Sequence, residues 1–371
     1  MKGLSLFANV GLAETYLPSI GVDVVVANEL DEQRARFYKH LHPACDVVTG
    51  DITDPIVFDE IVKKAKEAKV ELLMATPPCQ GMSIAGHNSK YDERNSLIKY
   101  AIDVVDAINP KYIFFENVTQ QLTTPIIFQS AEIKIPEYMH KRLGDRYTFN
   151  SEQKTNAINY GVPQRRERAI FLLVRKDLKK QWDFPTPEKP ISLEEAFKGI
   201  PDLWPSIKEK AYQHMLPENT EEALAFHKWH IPPKHVWRNV ECMLYTSTGN
   251  TAFDNPIHYP KKTNGERVKG YDTTYHRLFW DKPAATVTMW NGIMGSQNNV
   301  HPGRIWKLNE LGDVLYNNPR VLTIYELMVV SSLPLDWNIP EWANEQVIRF
   351  VIGEGIPPLM VKKIIEPIKT N

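Results

Sequence analysis

The sequence predicts an α/β protein: a doubly wound, mostly parallel sheet, with a second, smaller and irregular domain attached. Three observations carry this. The first half alternates short apolar runs with longer amphipathic ones, the pattern of strands joined by crossover helices. Acidic residues stand at the ends of successive apolar runs, where ligands of such sheets bind. After "FPTPEKP" (184–190) helical periodicity fades, and proline, glycine, asparagine and tryptophan are frequent to about residue 318.

Taken in order, "GLSLFA" (3–8) and "VDVVVA" (22–27) are buried strands, with "GLAETYLPSI" (11–20) helical between them. A charged amphipathic helix, "DEQRARFYKHL" (31–41), leads to the short strand "DVVTG" (46–50). The helix "PIVFDEIVKKAKEA" (55–68) and the strand "VELLMA" (70–75) follow. Asp31 and Asp54 occupy good N-cap positions for the two helices. "NSLIKYAIDVVDAI" (95–108) is helical by its apolar spacing, and "KYIFFEN" (111–117) and "RAIFLLV" (168–174) complete the strands. Helical character returns in "VLTIYELMVVSSLP" (321–334) and "NEQVIRFVIGEGIPPLMVKKIIEPI" (344–368). The expected organisation is a first domain over 1–184, a second over 185–318, and a segment over 319–371 that returns to the first.

Composition sets bounds. With 371 residues, 43% hydrophobic and 24% charged, the chain can bury a large core. No apolar run approaches the ~20 residues of a membrane span, and Asn9 and Glu14 interrupt the apolar start, which does not resemble a signal peptide. The formal net charge of −1 argues against a wholly basic nucleic-acid coat but leaves room for a local basic face. Residues 164–180 and 261–282 are such basic stretches, or simply solvated faces. Three cysteines, Cys45, Cys79 and Cys242, cannot all pair, and this sparing use fits a reducing cytoplasm.

The strand ends supply candidate site residues. "FANVGL" (7–12) carries only Gly11, a weak dinucleotide fingerprint, but a turn there lets backbone amides approach a polar ligand. Glu29 ends the second strand and Asp51 the third; carboxylates there suit ribose hydroxyls and an exocyclic amine, or else they hold turns. Cys79 follows the fourth strand in "ATPPCQGMS" (75–83), behind Pro77 and Pro78, which fix two backbone angles. Only ~3% of an ordinary thiol is thiolate at neutral pH, so a lone cysteine is usually inert unless its site activates it. Glu116 ends the neighbouring strand as a proton donor or hydrogen-bond partner, and "QRRER" (164–168) places Arg166 and Arg168 on one strand face. A thiol, an acid and an arginine beside a nucleoside site suggest attack on an electron-poor ring.

Together these stretches resemble the cytosine-C5 DNA methyltransferase family, in that family's order and across nearly the whole chain. "SLFANVGL", "ANE", "GDI", "PPCQGMS", "DERNSL" (92–97) and "ENV" are similar to its first six motifs. "QRRER", "RVLTIYE" (320–326) and "IGEGIPP" (352–358) are similar to the eighth, ninth and tenth. Residues 185–318 fall where the family keeps its target-recognition domain, and "RLFWDKPAATVT" (277–288) resembles a run near that domain's end. The first motif usually begins with Asp and holds more glycines; Ser5, Asn9 and Leu12 stand in those places, and Glu354 stands where many members have Asn.

The resemblance implies a class I S-adenosylmethionine-dependent methyltransferase fold and S-adenosylmethionine as cofactor. Its site would be Phe7, Ala8, Asn9, Gly11, Leu12, Glu29, Leu30, Asp51, Ile52, Pro78, Leu97 and Glu354. The substrate would be cytosine in double-stranded DNA, flipped out of the helix. Cys79 would attack C6, Glu116 would bond N3 and the exocyclic amine, and Arg168 would bond O2, with Arg166 in the same catalytic set. Gln80, Ser83, Gln164, Lys261, Lys262, Arg267, Lys269 and Arg304 would meet DNA, though Ser83 serves a local turn equally well. A stand-alone cytoplasmic, nucleoid-associated monomer of this size fits the companion of a restriction endonuclease acting on the same site. The alternatives are a tRNA cytosine-C5 methyltransferase, a catalytically weakened DNA-binding relative, and an unrelated nucleotide-binding oxidoreductase. "HLHPAC" (40–45) and "HKWH" (227–230) lack a second ligand pair at convincing spacing, so no metal site is expected. Most tryptophans of the second domain belong to its core, and one is a candidate to stack on a base or enter the duplex.

Overall fold

A computed structural model describes residues 1–78 and 96–370. By its contacts the chain forms two compact units: residues 1–160, 167–187 and 357–371 in one, 161–166 and 188–356 in the other. The sequence boundaries at 184/185 and 318/319 compare with structural divisions at 187/188 and 356/357, with a short excursion at 161–166.

The first unit runs β1 (Lys2–Leu6), β2 (Asp23–Glu29), α1 (Glu32–Leu41), β3 (Asp46–Thr49), α2 (Pro55–Ala68), β4 (Leu72–Ala75), α3 (Leu97–Ile108) and β5 (Tyr112–Asn117). It continues with β6 (Pro125–Phe128), β7 (Ala131–Lys134), α4 (Ile135–Leu143), β8 (Tyr147–Phe149), β9 (Lys154–Asn156) and β10 (Glu167–Arg175). Eight strands make one sheet in the order β3-β2-β1-β4-β5-β10-β8, with β9 also paired to β10. The first five strands are parallel, and β10 is antiparallel to β5, β8 and β9. The strand order reverses at β1, between β2 and β4, the switch point at which such sheets take ligands.

Local chemistry explains most of these elements. The Asp31 and Asp54 carboxylates accept from the amides of Arg34 and Ile56 and cap α1 and α2, and Pro55 opens α2 where no amide is needed. α3 buries Ile98, Ala101, Ile102, Val104 and Val105 along one stripe. The expected helix over 11–20 is instead a series of turns and a short 3₁₀ turn, Leu17–Ile20. Gly11 is left-handed, with φ 79°, and Pro18 removes an amide, so no α-helix propagates. The β6–β7 hairpin went unread because its turn residues, Gln129 and Ser130, adopt φ 49° and 65° without the usual asparagine or glycine.

The second unit holds α5 (Leu193–Ala196), β11 (Ser206–Ile207), α6 (Glu221–Ala225), β12 (Lys234–His235), α7 (Trp237–Leu244), β13 (Ile305–Leu308), β14 (Val314–Tyr316), α8 (Ile324–Val330) and α9 (Glu345–Glu354). Its described strands form two-stranded ribbons, β11 with β12 and β13 with β14, and it is irregular as expected. Beside an apolar cluster that includes Val240, Met243 and Val300, it encloses an ion pair. Arg320 and Glu326 are fully buried and paired twice, at 2.7 and 2.8 Å. Thr323 and Glu326 form the capping box of α8. This gives "RVLTIYE" a physical meaning: a cap whose acid is neutralised by the arginine six residues before that acid. Burial opposes the Glu326 charge, yet Arg320 and the neighbouring His301 hold its carboxyl at about 2. After α9 the chain rejoins the first unit through α10 (Pro358–Ile365) and α11 (Pro367–Thr370), where the Trp182 indole donates to the Ile364 carbonyl at 2.8 Å. Among the described residues, no helix is long and apolar enough to cross a membrane.

Candidate active site

The carboxyl ends of β1, β2, β4 and β5 build the site in the first unit. Beyond β1, Phe7, Asn9 and Gly11 are all left-handed, with φ 57°, 50° and 79°. Asparagine tolerates that region better than most residues, so the turn forms with a single glycine. Leu12 stays out of the left-handed region and is buried. At Gly11 a Cβ would lie 2.5 Å from the His42 ring and 2.9 Å from Tyr38, so the loop is pressed onto the end of α1. Burial holds His42 below its usual pKa, and its Nε2–H donates to the Gly11 carbonyl at 2.9 Å.

Glu29, at the tip of β2, is nearly buried and accepts from the backbone amides of Asn9 (2.8 Å) and Asp31 (3.1 Å). It thereby ties the β1 loop to the start of α1. Each carboxylate oxygen keeps a second lone pair for a ribose hydroxyl. Asp51 is exposed and accepts from the Thr53 amide at 2.9 Å, the turn-holding role left open by its sequence position. Ala8 and Ile52 are buried in the core, so only their backbones can meet a ligand, whereas Leu30 is 65% exposed. Phe7, Pro78 and Leu97 are half-buried, and Phe7 and Leu97 pack on the main core.

The loop after β4 is anchored on both sides. The Thr76 amide and hydroxyl donate to the carbonyls of Leu6 (3.3 Å) and Phe7 (3.1 Å). The Asn117 amide donates to the Pro77 carbonyl at 3.0 Å. Cys79, Gln80 and Ser83 lie outside the described residues. The two described cysteines are buried, and burial pushes both thiols up to about 12, far from nucleophilic.

Glu116 and Arg168 meet at the end of β5. The β10 register sets Ile170 opposite Glu116, which brings Arg168 within reach, and its Nε lies 2.7 Å from Glu116 Oε1. Arg168 also donates from Nη1 to the Glu167 carbonyl at 2.7 Å. Arg166 does not share this site. It lies in the second unit, 3% exposed, donating to the carbonyls of Val287, Gly353 and Glu354. The strand begins only at Glu167, so the alternation expected to align the two arginines does not extend to Arg166. Glu354 ends α9 in the second unit, with its carbonyl on Arg166.

The residues expected at DNA divide. Gln164 is 1% exposed, and its amide is spent on Val330, Ser331 and Val287, so it does not form a surface. Arg304 donates to both oxygens of Glu194 at 2.8 Å and covers Trp280. Lys262 pairs with Glu266 at 2.8 Å, and Arg267 donates to the Phe253 carbonyl and lies over Tyr259. Lys261 lies over Tyr259 and is exposed, as is Lys269. Of the tryptophans, Trp290 is the exposed one, at 54%. A cleft of about 580 Å³ opens at the amino ends of β1, β4 and β5, beside Lys2, Lys69 and Lys111, away from these carboxyl ends.

The strand order is that of a class I methyltransferase fold. The structure aligns over 99% of its length with the methyltransferase EhMeth of Entamoeba histolytica (98% of that chain, TM-score 0.62, 13% identity). It aligns over 99% with the Dnmt2 methyltransferase of S. pombe (97% of that chain, TM-score 0.59, 14% identity). The model of the C-5 cytosine-specific DNA methylase family matches residues 1–370, and the chain belongs to that family. It is 38% identical over 369 residues to the type II methyltransferase M1.HgaI of Avibacterium volantium, covering 98% of this chain and 97% of that protein. It is 31% identical to the type II methyltransferase M.XorII of Xanthomonas oryzae pv. oryzae, covering 98% and 83%.

Proposed function

We propose that this DNA cytosine-C5 methyltransferase uses S-adenosylmethionine to methylate a flipped-out cytosine through a covalent Cys79 adduct. The observation that carries the reading is the Glu116–Arg168 pair, 2.7 Å apart at a strand end and next to the anchored Pro77–Pro78 segment that leads to Cys79. The cofactor supplies an electrophilic methyl group. Ring C5 of cytosine is not nucleophilic. Attack by the Cys79 thiolate on C6 moves electron density to C5 and N3; the Glu116 carboxyl gives its proton to N3 and accepts from the exocyclic amine as charge develops. Arg168 holds the Glu116 carboxyl through Nε, and its fork has further N–H groups for O2. After C5 accepts the methyl group, its proton leaves to a base and β-elimination expels the Cys79 thiolate.

The fit of the β1 and β2 ends supports donor binding there: a left-handed loop exposing backbone, a buried acid at Glu29, and Phe7 beside them. Arg166, occupied by carbonyls, acts as a scaffold for the tenth-motif turn and not on the base. Residues 188–356 are proposed to read the DNA sequence, with Lys261, Lys262, Lys269 and Arg267 on phosphates and Trp290 against the duplex. Relatives named as type II methyltransferases support a role in restriction–modification, with a cognate endonuclease cutting the same unmethylated site. A monomer in the cytoplasm is the state proposed for this chain.

Incubation with labelled S-adenosylmethionine and either DNA or tRNA tests this. Label is expected in DNA, as 5-methylcytosine at one sequence, and absent from protein carrying Cys79→Ser. Label in RNA alone, or normal turnover by Cys79→Ser, would overturn the proposal.

A further inference from the structure

Glu14, which the mechanism does not use, lies under the β1 loop. It is 2% exposed, and neither carboxyl oxygen has a partner at hydrogen-bonding geometry among the described residues. The groups around it come from three directions: the Ser5 hydroxyl from β1, the Tyr38 phenol from α1, and the Cys45 thiol from the turn after α1. The nearby charges are committed elsewhere, Lys39 to the Cys45 carbonyl at 2.8 Å and Asp46 to Lys64 at 2.6 Å. An ionised Glu14 would therefore be a buried charge without a counter-ion, a state proteins avoid by keeping the proton. Burial accordingly pushes the carboxyl up to about 7, with Ser5 and the residue's own amide easing the shift.

The same side chains form the floor of the loop. Tyr38 and His42 are the groups a Cβ at Gly11 would strike, and Thr15, next to Glu14, donates to the Gly11 carbonyl at 3.4 Å. Ser5, on β1, places its hydroxyl beside the same carboxyl. We propose that Glu14 is a positioning residue of the methyl-donor site, its neutral carboxyl holding the β1 loop in its binding shape. Ionisation puts a charge against Tyr38 and lifts the floor under Gly11. The inference rests on the reading of the β1 end as the donor site.

The test is the affinity of the full chain for S-adenosylhomocysteine by calorimetry at pH 6 and pH 8. If binding needs the protonated form, Kd rises about tenfold across that range. Glu14→Gln, a neutral isostere, is expected to lose this dependence, and Glu14→Asp, which restores a titrating carboxyl, to regain it. Any titration of the probe itself is common to all three proteins. The infrared C=O stretch of a protonated carboxyl is expected in the wild-type protein at pH 6 and is lost in Glu14→Gln. Equal pH dependence in the wild type and Glu14→Gln, or no carboxyl band difference, would overturn the role of Glu14 while leaving the donor site intact. No binding by any of the proteins at either pH would overturn the donor site and this inference with it.

Discussion

Glu116 is 7% exposed, and its Oε1 sits 2.7 Å from an arginine nitrogen, so the carboxyl is oriented before any substrate arrives. Orientation of this kind is what a hydrogen-bonding catalyst needs, because the cost of ordering the group is met in folding. Glu116→Gln keeps the shape and removes the carboxyl's exchangeable proton. Turnover is expected to fall by about 10²–10⁴-fold with donor affinity unchanged, measured as kcat and donor Kd on the same preparation. Arg168→Lys replaces a planar fork by a single ammonium. It cannot hold both the Glu116 carboxyl and the Glu167 carbonyl in that geometry, and a comparable loss of kcat is expected. Arg166, two residues earlier, shows how little neighbouring sequence says about shared role. It donates to three carbonyls of the second unit, so Arg166→Lys is expected to lower stability in urea unfolding.

At the scale of elements, the loop after β1 depends on backbone freedom at one position. Gly11 is left-handed at φ 79° and closely packed, so Gly11→Ala adds strain of about 1–2 kcal/mol before the contact with His42 is counted. Lower urea stability and weaker S-adenosylhomocysteine binding are the expected outcomes. The β6–β7 turn gives the converse case. Gln129→Asn with Ser130→Gly supplies the residues that its positive φ angles favour, and a gain of about 1 kcal/mol is expected in the same unfolding experiment. In α8 the Arg320–Glu326 pair is wholly enclosed, and Glu326→Gln strands a buried cation. A loss of about 3–5 kcal/mol is expected, largely in the second unit.

For the whole molecule, pH acts through two kinds of buried group with opposite sign. Burial, then Arg349 and Arg320, hold His235 down from 6.5 to about 3. The unfolded chain binds that proton first, so stability present above pH 6.5 is lost as pH falls from 6.5 towards 3. Glu14 runs the other way: its proton is held in the fold up to about 7, against 4.5 for an ordinary glutamate, so stability present below 4.5 is lost as pH rises towards 7. Glu14→Gln is therefore expected to be more stable than the wild type above pH 7 and equal to it below 4.5, by urea unfolding across that range. DNA binding offers a separate check on the second unit. Lys261→Ala or Lys269→Ala is expected to weaken binding at every sequence and reduce the salt slope by about one phosphate each.

Much of this protein was legible in its residues. Apolar periodicity located β1 to β5, β10 and α1 to α3, because a strand or helix must bury one face and the pattern of that face is local. Motif order identified the family, since "PPCQ", "ENV" and "QRRER" follow one another as they do in that family. What depended on long-range pairing was not legible. The antiparallel seating of β10 on β5 joins Arg168 to Glu116 across fifty-two residues of chain, and no local pattern encodes strand direction. The fate of Arg166 and Gln164 was decided the same way, by carbonyls that lie more than a hundred residues away. Glu14 looked like an ordinary interruption of an apolar stretch, and only the tertiary packing of Ser5, Tyr38 and Cys45 around it made it a buried acid. The sequence by itself determined which chemical groups this protein owns and the family they belong to. The tertiary structure alone decided which of them meet and which are sealed from water, because burial and pairing arise from segments far apart in the chain.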